Sequence, residues 1–172
     1  MGKTAFVTVL MVFLQCIALA PVLEAGAPFL KAGRLFYTGE GQKDFNAFLV
    51  SAGSDFQPIR YFSLGFEVQY AYKSLDDRSA HFVNGYFNAK AVLGDEFIRP
   101  FVGAGLGYQV AARLADHLSD IDYEGAVGYQ ILGGLLLGKP GGLSLVAEIQ
   151  YKIPTGDLAD MKSIALLGGI RF

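Results

Sequence analysis

Apolar and polar residues alternate one for one along most of this chain. In "YFSLGFEVQYAY", Phe62, Leu64, Phe66, Val68, Tyr70 and Tyr72 form one face. Ser63, Gly65, Glu67, Gln69 and Ala71 form the other. "FIRPFVGAGLGYQV" repeats the pattern, with Ile98, Pro100, Val102, Ala104, Leu106, Tyr108 and Val110 opposite Arg99, Phe101, Gly103, Gly105, Gly107 and Gln109. In "LSLVAEIQYKI" the odd positions from Leu143 to Ile153 are apolar, and Ser144, Val146, Glu148, Gln150 and Lys152 oppose them. A period of two places successive side chains on opposite faces of a strand.

Eight such segments follow one another, at about 27–38, 45–54, 61–73, 80–92, 97–111, 122–137, 142–153 and 162–172. Turn residues separate them, and no window after residue 26 carries a helical period. The first two are the least regular, because Arg34 fits neither register and implies a bulge or a displaced boundary. Most segments reach the roughly 9–11 residues that a tilted strand needs to cross a bilayer. The glycines decide which face points inward. They share a face with Glu67, Arg99, Gln109 and Arg171, as a narrow lumen requires when small and long side chains must interleave. The Leu, Ile, Val, Phe and Tyr face then points outward, where lipid accommodates it. The expected fold is all-β: an eight-stranded antiparallel up-and-down transmembrane β-barrel over residues 26–172.

Composition agrees with this. Of 172 residues only 17% are charged, below the roughly 25% of an average soluble domain. The net charge of −2 provides no basic footprint for nucleic acid. Before the barrel, "MGKT" and the apolar run Ala5–Ala20 are too short for a spanning helix and fit a secretory signal peptide over residues 1–25. The single cysteine, Cys16, lies inside that segment. The mature chain is therefore expected to form no disulfide and no thiolate site, and no cofactor or metal is expected. The connections alternate in kind. "TGEGQKD", "KSLDDRSA", "RLADHLSDIDYE" and "TGDLADMK" are longer and more acidic than "DFQPIR", "GDE" and "GKPGG", which matches long external loops and short periplasmic turns.

These residues resemble the small eight-stranded outer-membrane proteins of the OmpX, OmpW and OmpA-barrel types, over the whole mature chain. "FIRPFVGAGLGY" looks like a strand of that group. The ending Leu166, Gly168, Ile170, Phe172 resembles the C-terminal signal by which such barrels are recognised for assembly. The resemblance implies residence in the cell outer membrane, contact with outer-membrane lipid and lipopolysaccharide, delivery by the barrel assembly machinery, and a monomer.

An eight-stranded barrel is just wide enough for its own side chains. The inward set contains Glu67, Asn84, Asn88, Lys90, Arg99, Glu124, Gln130, Glu148, Gln150, Lys152 and Arg171. Buried charges need partners, so Glu67, Lys90, Arg99, Glu148, Lys152 and Arg171 are expected to pair across the lumen and plug it. A narrow pore for small solutes is the alternative. The loop acids Glu40, Asp44, Asp76, Asp77, Asp116, Asp120, Asp122, Asp157 and Asp160 lack the spacing of a calcium loop and read as a solvated rim. "HLS" (His117, Ser119) resembles the His-x-Ser pair of the outer-membrane lipid A deacylases, which share this fold. Here the pair falls in the longest loop, with Asp120 where that family has Asn. Ser79 and His81 share one parity on the fourth segment, without a visible third group or oxyanion site. The expected function is non-enzymatic: envelope integrity or surface contact through the loops. A lipid A-modifying hydrolase of the same fold is the less favoured reading.

Overall fold

In a computed structural model, residues 26–38, 46–75, 78–94, 96–114 and 121–172 are described, without the side chains of residues 74, 75, 78, 79, 112–114 and 121–123. The segment read as a signal peptide lies outside the described residues. Eight strands run in order: β1 (Gly26–Tyr37), β2 (Asn46–Ile59), β3 (Phe62–Leu75), β4 (Arg78–Val92), β5 (Ile98–Leu114), β6 (Ile121–Gly138), β7 (Ser144–Pro154) and β8 (Ser163–Arg171). Each pairs antiparallel with its neighbours in sequence, and β8 returns to β1 to close the barrel. The closing seam runs from Phe29↔Arg171 to Tyr37↔Ser163. Phe172 extends it by donating its backbone N–H to Pro28 O at 2.8 Å. Closure leaves no strand edge unpaired, which a hydrocarbon surrounding demands.

The strands are longer than their alternation indicates. Pro58 reads as a turn residue, yet β2 continues past it to Ile59. The β2–β3 register shifts between Phe56 and Ile59, an irregularity of the kind that accommodates a residue with no N–H. β5 and β6 pair out to Leu114↔Ile121, and β3 and β4 out to Leu75↔Arg78, so both connections are shorter than composition suggests. Arg34 marks no bulge. β1 pairs with β2 and β8 without a shift, and Arg34 simply sits on the exposed outer face.

The outer surface is apolar around the barrel. Leu106 is 54% exposed, Ile131 56%, Ile149 51% and Leu166 49%, values that rule out a covered core. Phe56, Tyr61, Phe62, Phe97 and Phe172 ring the short-turn end, while Phe48, Tyr108 and Tyr151 lie toward the other end. Aromatic girdles flanking an apolar band are what a transmembrane barrel presents to its two interfaces.

Inward glycines make the lumen possible. A Cβ on Gly105 would run into Asn88 Oδ1, and one on Gly107 into Gly85 O and the Tyr86 ring. β5 thus yields the volume that Asn88, Gln130 and Tyr86 occupy. Gly105→Leu should destabilise the barrel by at least the ~1–3 kcal/mol typical of overpacking, measured as a lower guanidinium midpoint in detergent. Because Trp is absent, circular dichroism or gel mobility must report the transition.

Candidate functional site: a filled lumen in three storeys

The lumen divides along its axis. At the long-loop end its wall is apolar: Leu35, Tyr37, Ala47, Leu49, Ala71, Phe82, Ala126, Ala165 and Leu167 are buried in one cluster. The β7–β8 connection folds onto this cluster. Gly156 takes a positive φ of 60°, opening a short 3-10 turn, Gly156–Leu158, that drives Leu158 inward until it is 2% exposed. Met161 packs beside it. A second apolar cluster, Val92, Phe101, Leu132, Leu136 and Val146, lies toward the short-turn end. A lumen apolar at its long-loop end corrects the polar lumen expected from the sequence.

The middle storey is a continuous polar network centred on Glu67. Its carboxylate accepts from Ser51 on β2, Gln69 on its own strand, Asn88 on β4 and Gln150 on β7, and it pairs with Lys31 of β1 at 2.8 Å. Lys31 Nζ reaches Glu148 Oε1 at the same distance, so one ammonium bridges two carboxylates. Gln150 joins them again by donating to Glu148 Oε1. Gln130 donates to Asn88 Oδ1 at 2.7 Å, extending the network to β6. Lys152 donates to the side-chain amide oxygen Oε1 of Gln69, and its ammonium stands 5.9 Å from the Tyr86 ring centroid.

Below it, Lys90 donates to both oxygens of Asp55 at 2.9 and 3.0 Å. Arg171 Nε stands 3.9 Å from the same carboxylate. Arg99 bonds to neutral groups, donating to Ser144 Oγ at 3.1 Å and Gly138 O at 3.3 Å.

All six expected lumen charges point inward: Glu67, Lys90, Arg99, Glu148 and Lys152 are buried, and Arg171 is half-buried. They do not pair among themselves. The counterions are Lys31 and Asp55, which lie on the two strands whose alternation is irregular. Asn84, Asn88, Gln130 and Gln150 are likewise buried, and Glu124 is half-buried toward the long-loop end. Leu166, Gly168, Ile170 and Phe172 share the outward face of β8 and its end.

His81 also faces outward. Its Nδ1 lies 2.7 Å from the Tyr70 hydroxyl, and its ring sits 5.2 Å from that of Tyr72. The Ser79 backbone pairs with Ser74 and Leu114, but its side chain lies outside the described residues. So do His117 and Ser119, and the loop acids Glu40, Asp44, Asp76, Asp77, Asp116 and Asp120; Asp122 is described in backbone only. Asp157 and Asp160 are exposed beside the 3-10 turn. Among the described residues no three His, Cys, Asp or Glu side chains gather as a metal site would require.

A closed eight-stranded barrel with an apolar exterior and a filled interior is the architecture of the small outer-membrane barrels. Among solved structures, Neisserial surface protein A superposes with a TM-score of 0.74 at 13% identity, over 86% of this chain and 96% of that one. Ail, the attachment invasion locus protein of Yersinia pestis, gives 0.56 at 13% identity, over 86% and 97%. The outer membrane enzyme PagL gives 0.52 at 14% identity, over 86% and 99%. No protein-family model matches the sequence, and no curated protein does either. At such identities the likeness establishes the fold; one neighbour is an enzyme and another an attachment protein, so role does not follow from it.

Proposed function

We propose that this chain is a non-enzymatic barrel of the outer membrane of a Gram-negative bacterium, acting in envelope integrity or surface contact through its external loops. The observation that carries this reading is the filled lumen: Glu67, Lys31 and Glu148 knit β1, β3 and β7 together beneath the Leu158 plug. Solute passing through would have to break buried charge pairs whose loss costs several kcal/mol. A barrel closed to solute leaves its loops and its lipid face as working surfaces.

On this reading the short turns, the start of β1 and the end of β8 face the periplasm. Lipopolysaccharide and lipid surround a monomer, and the assembly machinery reads Leu166, Gly168, Ile170 and Phe172. Planar-bilayer recordings of the purified barrel should show no large, steady conductance, and such a conductance would reject the sealed lumen. Lipid A from cells with and without the protein should have identical mass spectra. Loss of an acyl chain dependent on the protein would instead make it a hydrolase of the same fold.

A further inference from the structure

The lumen charges balance in the middle storey but not at the short-turn mouth. In the middle, Lys31 and Lys152 match Glu67 and Glu148. At the mouth, Asp55 is the only carboxylate among the described residues within ion-pairing distance of Lys90, Arg99 or Arg171, and Lys90 already holds both oxygens of that carboxylate. The exposed Glu96 of the β4–β5 turn and the carboxylate of Phe172 pair with neither guanidinium.

The two arginines are neighbours. Arg99 reaches across the barrel end to Ser144 Oγ, and Ser144 is the direct cross-strand partner of Arg171; side chains so paired stand about 5 Å apart at Cβ. Arg99 is 4% exposed, yet its Nε–H has no acceptor, and neither has the Nε–H of Arg171. The 3.9 Å from Arg171 Nε to Asp55 is beyond hydrogen-bond range. Beside Arg171, a cavity of about 10 Å³ is lined by Lys31, Asp55, Ser63, Lys90 and Glu148 and by five apolar side chains, with Arg99 outside its lining. It has room for about one water-sized atom.

We propose that the short-turn mouth is an anion site in which Arg99 and Arg171 hold a phosphate-type oxyanion, one of whose oxygens enters the lumen. One buried and one half-buried cation in excess call for negative charge, and the planar guanidinium suits an oxyanion better than a halide. The same chemistry is offered by free phosphate and by the headgroup of a phospholipid at that interface. The proposal does not depend on what the external loops contact.

The test uses the purified barrel in a phosphate-free detergent at constant ionic strength. Titration with inorganic phosphate, followed by ³¹P line broadening and by the unfolding midpoint, should saturate; chloride should not reproduce it. Arg171→Gln should weaken the response at least tenfold. Arg171 makes no hydrogen bond to lose at Nε, so this variant should still fold, whereas Arg99→Gln would remove the bonds to Gly138 O and Ser144 Oγ that brace the β6–β7 turn. Short-chain phosphatidic acid added to the micelles forms the second arm. Protection by it without protection by inorganic phosphate would identify the anion as a headgroup. No saturable response of the wild type to either, or an unchanged response in Arg171→Gln, would overturn the proposal.

Discussion

Replacing Lys31 with Met should destabilise the barrel by about 3–5 kcal/mol, the loss expected when one partner of a buried ion pair is removed. The size follows from geometry. Lys31 is 2% exposed and, among the described residues, is the single cation within ion-pairing distance of both Glu67 and Glu148. Without it two carboxylates face each other in a water-poor interior. Lys152→Met is the informative comparison. Its ammonium is equally buried, but its hydrogen-bond partner is the neutral Gln69, so the loss should be nearer the ~1–3 kcal/mol of an unmade buried hydrogen bond. Adding Glu148→Gln to Lys31→Met should recover part of the loss, because only one carboxylate then remains unpaired. Guanidinium unfolding in detergent, read by circular dichroism and cold gel mobility, would measure all three. Equal losses in Lys31→Met and Lys152→Met would dismiss Lys31 as the keystone.

The same residues explain what could and could not be read from the sequence. β3, β5 and β7 were legible because a Glu67 or Gln150 inside contrasts with a Phe66 or Ile149 outside. β1 and β2 were not. Toward the long-loop end the lumen itself is apolar, so Leu35, Tyr37, Ala47 and Leu49 point inward while Phe36 and Phe48 occupy the other face. With apolar residues on both faces, the period-two contrast disappears, and the outward Arg34 disguises the register further. That ambiguity concealed Lys31 and Asp55, the two counterions on which the network depends. A signal was present for Asp55 alone: an inward set with four bases against three acids left one base unmatched, but nothing in it pointed to Lys31. The tuck of Leu158 had no comparable signal, because "TGDLADMK" reads as an ordinary solvated loop.

Phe172 should matter more for insertion in cells than for the finished fold. It is 57% exposed at the short-turn rim, and its firm attachment is the backbone bond from its N–H to Pro28 O, which any residue but proline could make. Phe172→Ala therefore removes only side-chain burial at an interface, at most about 1.5–3 kcal/mol, and leaves the β1–β8 seam intact. A closed barrel should tolerate that when refolded from denaturant into detergent. Recognition by the assembly machinery, proposed from the pattern Leu166, Gly168, Ile170, Phe172 on one outward face, depends instead on the ring itself. Phe172→Ala should lower the amount of heat-modifiable barrel in outer-membrane fractions several-fold, while the purified variant refolds in detergent nearly as well as wild type. Phe172→Tyr, which keeps the aromatic ring, should restore much of the cellular insertion. Equal insertion of wild type and Phe172→Ala in cells would reject the signal role. Failure of Phe172→Ala to refold in detergent as well would place the defect in the β1–β8 seam rather than in recognition.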